Sequence, residues 1–480
     1  MMRRTAAFAL TSLACAVVAH AQTTSGALRG TLRSQAGSPI ANATVSVRDL
    51  ANGSVRSTLS DANGNYQLPL LAVGTYQLTV TSAGSQTVQD SNVRIALGLT
   101  SVQNYTIASA TGASATVEVT GRSQNLDSQQ MFTSSSVDQS LIESIPLGGA
   151  RDFTSLVNLT PGTVYDADSN RVSVEGARGI QNNLSIDGAS YNSNFFGEQR
   201  GSTRIPFAFG ADTIQELQII RNSYDAQYGN ASGAVINAIS KSGTNTFSGS
   251  LLYQVRPKSL VAQIAPAPYD PTGATSLSSF RTKNFNQVQG NFNFGGPIIK
   301  DKLFFFVGTE QYSYTEDFSP TITPTASTGS TLADTVTFLQ NFGNMIVGPG
   351  TRTLSQDAGL TVDGSGNLVV TNTSKYTNDR LNRVYFGRLD YIINPDHRFT
   401  IRVNAQDWSS DNGTIAFTSS SAPRTGVSNQ GLEKNSGLSW VAELSSILSP
   451  NLVNEARLQR AIERRPRFEK GTSPEFNAFT

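Results

Sequence analysis

After Thr246 the chain settles into a two-faced pattern. Phe247, Gly249, Leu251, Tyr253 and Val255 fall on one parity, and Thr246, Ser248, Ser250, Gln254 and Arg256 on the other, with Leu252 as the break. A period of two belongs to a strand with one apolar face. The same pattern returns where Val288, Phe292 and Phe294 alternate with Gln287, Gln289, Asn291 and Asn293. Tyr385, Gly387, Leu389 and Tyr391 alternate with Arg388 and Asp390, interrupted by Phe386. Phe399, Ile401, Val403 and Ala405 alternate with Thr400, Arg402, Asn404 and Gln406. Leu438, Trp440, Ala442 and Leu444 alternate with Ser439, Glu443 and Ser445, interrupted by Val441. Short turns carrying Pro297, Pro395 and Pro450 are interleaved with long polar stretches at 257–284, 314–381 and 409–435.

Strands of roughly ten residues, with tight turns at one end and long loops at the other, are the plan of an outer-membrane β-barrel. Lipid requires the outward parity to be apolar and the sheet to close, because an open edge in hydrocarbon leaves backbone groups unpaired. The inward parity of Gln, Asn, Arg and Asp suits a hydrated or plugged lumen. Phe304-Phe305-Phe306, beside a short turn, is expected to form an interfacial girdle. A soluble β protein whose apolar faces pack together fits the alternation, but accounts less well for the loop asymmetry. About seven strands are expected between Thr246 and Arg464, an odd number, so the barrel is expected to be incomplete at Thr480.

The earlier chain differs. From Gly26 to about Ala108, short alternating segments such as Ala43–Val47, Asn65–Leu68 and Thr75–Val80 are separated by Asn52-Gly53 and Asn63-Gly64. These dipeptides favour type I′ hairpins, in which both central residues take φ > 0. A sandwich of about seven strands is the expectation. Asp61-Ala-Asn63-Gly-Asn65 has its glycine in the wrong place for a calcium loop and lacks a later bidentate Glu, so it reads as a plain turn. Beyond a linker rich in Ser, Ala, Thr and Gly (108–115), a small α/β unit is expected. Asp138 or Ser140 would cap a helix through Ile145, and Asp152 another through Leu159. Strands are expected at Val172–Val174, Leu184–Ile186, Leu217–Ile220 and Ala234–Ser240.

Composition narrows the setting. Only 15% of residues are charged and the net charge is +1, which gives no reason to propose a nucleic-acid partner. Arg3 and Arg4, the apolar run Ala6–Val18 and Ala19-His20-Ala21 form a signal peptide, with cleavage expected before Gln22. Cys15, the single cysteine, would leave with it. No later apolar stretch is long enough for a transmembrane helix. The chain shows no G-x-x-x-x-G-K-[ST] for a nucleotide. No cofactor, metal or enzymatic site is expected, since no nucleophile, base and orienting group can be placed together.

The N-terminal motifs Gly30-Thr31-Leu32, Gly37-Ser-Pro39-Ile40-Ala41-Asn-Ala43, Ser60-Asp61-Ala-Asn-Gly64 and Val73-Gly74-Thr75-Tyr76 resemble the carboxypeptidase regulatory-like domain. That name is not an activity here: with two histidines, His20 and His397, no histidine zinc site can be assembled. Glu175-Gly-Ala-Arg178-Gly, Ser185-Ile-Asp187-Gly188, Ala226-Gln-Tyr228-Gly229, Ser232-Gly-Ala-Val235-Ile236-Asn237 and Lys241-Ser-Gly-Thr-Asn245 resemble the plug domain of TonB-dependent outer-membrane receptors. The Oar-like variant of that family, which carries a regulatory-like domain, is the nearest pattern. Gly295-Gly-Pro-Ile-Ile-Lys-Asp-Lys302-Leu-Phe-Phe-Phe306 is similar to it as well.

The resemblance implies a multi-domain, mainly β fold. Its parts are a signal peptide (1–21), a regulatory-like β-sandwich (22–108), a linker with a candidate TonB box (109–121), a plug (122–245) and the first part of an antiparallel transmembrane barrel (246–480). The family's barrel has about 22 strands, so several hundred residues are expected beyond Thr480. Thr116, Val117, Glu118, Val119 and Thr120 are the candidate box, the segment that pairs with TonB as an added strand. An ordinary linker strand accounts for those five residues equally well. Implied plug residues are Arg178, Asp187, Gly188, Tyr228, Gly229 and Asn237. The implied partners are TonB with its inner-membrane energising complex, outer-membrane lipid, and an extracellular ligand that could be an oligosaccharide, a peptide or a chelated metal. The implied place is the outer membrane, with the sandwich in the periplasm. The implied function is active uptake of a nutrient. A surface adhesin or glycan-binding protein anchored by the same barrel is the alternative.

Overall fold

The computed structural model describes residues 24–109, 116–118, 133–145, 151–166, 171–193, 209–224, 228–229, 231–260, 285–318, 360–362, 368–370, 376–414, 430–449 and 452–469. The expected signal peptide, most of the first linker, much of the long polar stretches and Pro450 lie outside them. Where those stretches are described at 314–318, 360–362, 368–370, 376–381, 409–414 and 430–435, they are strand rather than loop.

The first unit packs two sheets around one apolar core. Its strands are β1 (Gly26–Ser34), β2 (Thr44–Asp49), β3 (Val55–Leu59), β4 (Asn65–Leu71), β5 (Gly74–Thr81), β6 (Thr87–Ile95), β7 (Thr100–Val102) and β8 (Tyr105–Ile107). One sheet has the order β4-β1-β7 with β8 also on β1; the other runs β3-β2-β5-β6 and is extended by a short strand, β9 (Thr116–Glu118). The alternation works as expected, turning Leu28, Leu32, Val45, Val47, Leu78 and Val80 inward to full burial. Two turns correct the expectation. Gly53 and Gly64 take left-handed φ of 76° and 77°, but Asn52 and Asn63 are not among the residues with positive φ, so neither hairpin is type I′. Asp49 N–H donates to Ser54 O and Gly53 N–H to Asp49 O, both at 2.9 Å, so the loop is longer than two residues and needs only its glycine left-handed. At Asp61 the carboxylate accepts from the backbone of Asn63 and Asn65, the plain turn expected there. No metal-ligating cluster occurs among the described residues.

The second unit contains β10 (Thr133–Asp138), α1 (Gln139–Ser144), α2 (Phe153–Val157), β11 (Thr163–Asp166), β12 (Arg171–Val174), β13 (Asn183–Ile186), β14 (Ala189–Ser190), β15 (Ile214–Asn222) and β16 (Val235–Ser240). Its main sheet has the order β10-β15-β16-β13-β14, and β11 and β12 form a separate ladder. Asp138 is the N-cap of α1, accepting from Leu141 N–H. Asp152 accepts from Ser155 N–H at 2.7 Å, but α2 ends at Val157 rather than Leu159.

The third unit is a long antiparallel sheet. Its strands run in chain order: β17 (Ser248–Pro257), β18 (Phe285–Ile299), β19 (Leu303–Phe318), then β22 (Tyr376–Asn394), β23 (His397–Thr414), β24 (Gln430–Ser449) and β25 (Leu452–Arg464). A hairpin of β20 (Leu360–Val362) and β21 (Leu368–Val370) lies between β19 and β22, and β26 (Arg467–Glu469) pairs with β24. Among the described strands the sheet is an open wall with β17 and β25 at its edges. Several strands are far longer than ten residues; β24 has 20.

The two faces of this wall are inverted relative to a soluble protein. Leu251 is 81% exposed and Tyr253 70%, and Phe292, Tyr385, Leu389 and Val403 share the outer face. Gln287, Gln289, Asn291, Asn293, Arg388, Asp390, Arg402 and Glu443 are buried on the inner face. Apolar groups outside and amides and charges inside form the arrangement that lipid selects. No described helix is long and apolar enough to cross a membrane, which says nothing of strands.

The triple phenylalanine departs from expectation because parity divides it. Phe305 lies among Phe247 and Phe294, with ring centroids 6.4 and 5.7 Å away. Phe304 and Phe306 are buried on the inner face, so the run as a whole is not a girdle. Phe306 and Phe386 belong to the apolar core of the second unit, and Phe209 of that unit meets Phe386 edge-on at 6.2 Å. Phe386, which broke the alternation, is therefore an inner-face residue packed on the enclosed unit.

Candidate functional site

The second unit meets the wall at the turn between β13 and β14. Asp187 and Gly188 both take left-handed conformations, with φ of 48° and 66°. Asp-Gly is a favoured pair for a two-residue turn of this hand. The turn projects Asp187 toward the wall while its carboxylate also accepts from Ser240 N–H and Ser240 Oγ, each at 2.8 Å, tying the ends of β13 and β16 together.

Two wall strands supply arginines to this carboxylate. Arg402 Nε lies 2.9 Å from Asp187 Oδ2, and Arg388 Nη1 lies 3.5 Å from Oδ1. Arg388 also donates to Ser240 O at 2.8 Å, and its Nε and Nη2 grip Asp390 at 2.7 and 2.9 Å. Arg402 Nη2 donates to Ile186 O at 3.2 Å and its guanidinium stacks 5.4 Å from the Phe209 ring. Further round the wall, Arg457 donates to Gly188 O at 3.0 Å and Gln459 to Ser190 O at 2.8 Å. One tight turn is thus held by side chains from β22, β23 and β25. A second contact lies at Arg151, whose N–H donates to Gln289 Oε1 at 2.9 Å and whose Nη2 pairs with Asp212 at 3.0 Å.

The sandwich joins the same junction. Thr24 Oγ1 donates to Glu443 Oε1 at 2.9 Å, and Glu443 is paired with Arg457 at 2.9 Å. Asn245, on the link between β16 and β17, donates its N–H to Ala51 O at 2.8 Å and its Nδ2 to Asn52 O and Asp301 Oδ1, both at 2.7 Å. A cavity of about 310 Å³ lies where the three units meet, with Asp187, Arg388, Asp390, Arg398 and Glu443 in its lining. Such a junction is polar, closely hydrogen-bonded and buried. It can hold two bodies in one register and let go only when several charged contacts break together.

At the sandwich's other contact, Arg94 Nη1 pairs with Asp138 Oδ2 at 2.7 Å and Nη2 lies 3.8 Å from Glu216 Oε2. Leu97 N–H donates to Glu216 Oε1 at 3.0 Å. Burial pushes the Glu216 carboxyl above its usual range, against the Leu97 and Arg94 contacts. Burial acts on Asp138 in the same sense, but hydrogen bonds from Ser140, Leu141 and Arg94 hold it down to about 2.

The residues singled out in the sequence do not form one cluster. Asp187, Gly188 and Asn237 lie together, with Ser185 Oγ donating to Asn237 Oδ1 at 2.8 Å across the β13–β16 pair. Tyr228 packs with Ile220 and Val235 at the opposite end of that pair, and Gly229 O there accepts from Asn183 Nδ2. Arg178 is exposed beside the same end, at the start of a short 3-10 turn. Thr116, Val117 and Glu118 form β9, while Val119 and Thr120 lie outside the described residues. Sequence reasoning placed Arg388, Asp390, Arg402 and Glu443 on the inward parity but missed their pairing with Asp187 and Arg457. Their only signal was charge on a face otherwise built of amides.

Residues 239–479, half of the chain, match the outer membrane beta barrel domain. The chain belongs to that family. It is accordingly an outer-membrane protein whose wall is described above. Residues 27–108 match the carboxypeptidase regulatory-like domain. Among curated proteins, the TonB-dependent transporter Oar of Myxococcus xanthus is 29% identical over 361 residues, covering 73% of this chain. The chain spans about 30% of that relative's length. Among solved structures, the outer membrane transporter YddB from Escherichia coli overlays 69% of this chain and 38% of its own, with 12% identity and a TM-score of 0.44. The siderophore receptor PirA from Pseudomonas aeruginosa overlays 71% and 42%, with 14% identity and a TM-score of 0.42.

Proposed function

We propose that the protein is the N-terminal part of a TonB-dependent receptor that takes up a nutrient ligand across the outer membrane. It is not an enzyme on this reading and needs no cofactor. Residues 1–21 are the signal peptide, 22–108 a periplasmic sandwich, 109–121 the linker with the TonB-binding segment, 122–245 the plug and 246–480 the first part of the barrel. The observation that carries the reading is the grip of the wall on the Asp187–Gly188 turn. A permanent core would be closed by apolar packing. Here, beside one apolar contact at Phe306 and Phe386, a compact unit is held inside a polar-lined wall by charged and hydrogen-bonded contacts, which water can replace when the unit moves. The similarity to Oar supports the same reading. The energy would come through TonB from the inner-membrane complex. The ligand would be an oligosaccharide, a peptide or a chelated metal, bound on the outer side by the plug and long loops.

The test is deletion of Thr116–Thr120 in the full-length protein, scored both for growth on candidate nutrients and for surface adhesion. Loss of growth with unchanged levels in the outer membrane supports transport. Unimpaired growth with altered adhesion would favour a barrel-anchored adhesin or glycan-binding protein and sink the transport reading.

A further inference from the structure

The short strand β9 is paired to the sandwich. It lies parallel to β6, with Thr87 opposite Thr116, Val88 opposite Val117 and Gln89 opposite Glu118, and so ends the order β3-β2-β5-β6-β9. The run Thr116-Val-Glu-Val-Thr120 is rich in β-branched residues, which suit an added strand. The other end of β6 is tied to the second unit: Arg94 bridges to Asp138, and Leu97, just past the strand, donates to Glu216. About 17 Å of strand separates Gln89 from Arg94. One strand therefore carries the candidate TonB-binding segment at its beginning and an anchor to the enclosed unit at its end.

We propose that the β6 edge of the sandwich is the resting dock for the segment Thr116–Glu118, and that TonB must take the segment from β6 before it can pull. The inference rests on the reading of that segment as the TonB-binding one. Three residue pairs in parallel register make a short, weak ladder. A partner offering a longer strand can displace it by the same backbone chemistry. The sandwich stays in place when the segment leaves, because Arg94, Leu97, Val73 and Ala51 hold it to the second unit and the link to the wall. The regulatory-like domain then sets how much of the segment is available to TonB. Its role is storage rather than ligand binding.

The test locks the pair. Neighbouring strands lie about 4.8 Å apart, within the range of roughly 4.4–6.8 Å that a disulfide spans. Val88→Cys with Val117→Cys is introduced into the full-length protein in an otherwise cysteine-free background, and the probe is purified periplasmic domain of TonB. Mild oxidation is expected to close the bridge, weaken binding of the probe about tenfold or more, and leave the effect reversible by reductant. Equal binding in the oxidised and reduced forms overturns the proposal, since TonB would then add to the free edge of β9. Failure of the bridge to form overturns it too, because the segment would not rest on β6. A bridge that forms in a protein binding no probe even when reduced removes the TonB reading of the segment, and the proposal with it. The reduced form is its own folding control.

Discussion

Asp187 takes a left-handed conformation (φ 48°), accepts two hydrogen bonds from Ser240 and faces Arg388 and Arg402 across the interface. Its backbone role and its charge can be separated. Asn tolerates the left-handed region at least as well as Asp, so Asp187→Asn keeps the turn and removes the charge. Arg388 retains Asp390, but Arg402 is left buried among backbone and an aromatic ring. Removing one partner of a buried pair usually costs about 3 kcal/mol or more. Asp187→Asn is therefore expected to lower the unfolding midpoint of the purified full-length protein in detergent and to speed proteolysis of the second unit. An unchanged midpoint and cleavage rate would show that the arginines do not depend on this carboxylate. None of this was legible in the sequence: the Asp-Gly pair was visible as a family motif, but its partners lie 201 and 215 positions downstream. Local spacing carries no information about which inward-facing charge meets which turn.

At the scale of elements, much more could be read. Alternation is a local property, so the inner and outer faces of β17, β18, β22, β23 and β24 followed directly from it. The interruptions were informative in a way that one strand alone cannot reveal. Phe386 and Val441 are buried on the inner face, where the wall meets other protein instead of water. The run Phe304–Phe306 misled because three consecutive aromatics suggest a common place, whereas a strand sends neighbours to opposite sides. Asn52-Gly53 and Asn63-Gly64 misled because the dipeptide favours a two-residue turn, and side chains such as Asp49 and Asp61 hold longer ones here.

The contact of the β6 end with Asp138 at the end of β10 and Glu216 on β15 carries a pH signature with two opposite signs. The folded-state carboxyl of Asp138 lies below its ordinary value, so its contribution is complete above the ordinary carboxylate range and is lost as pH falls toward about 2. Glu216 lies above its ordinary value, so its contribution is complete below the unfolded value of 4.5 and declines as pH rises through the raised one. Asp138→Asn should therefore flatten the acid limb of a stability–pH curve, and Glu216→Gln the limb above the ordinary glutamate value. Unfolding midpoints of the purified protein across a pH series check both. Superimposable curves for wild type and either variant would contradict the corresponding assignment.

For the whole molecule, the three units act on one another largely through polar contacts, several of them around the junction cavity. The wall holds the enclosed unit at the Asp187–Gly188 turn, at Arg151 and through Phe306 and Phe386, and the sandwich touches the wall at Glu443 and the enclosed unit at Asp138 and Glu216. Such an assembly is suited to rigid-body release, because most contacts between the units are polar and exchangeable with water, with Phe306 and Phe386 adding an apolar contact to the core of the enclosed unit. The apolar outer face has the opposite meaning, fixing the wall in lipid. Overall architecture was the most legible level in the sequence, since each unit announces its own period and composition. The ligand of the proposed uptake was the least legible, because long polar loops have no pattern that selects one.

The central claim is that force delivered through TonB moves a ligand through this wall. The most direct measurement is accumulation of labelled oligosaccharides, peptides and ferric chelates by cells expressing the full-length protein, in paired strains with and without TonB. The account predicts that at least one of these probes accumulates only when TonB and the proton gradient are both present. Accumulation that continues unchanged without TonB would contradict it.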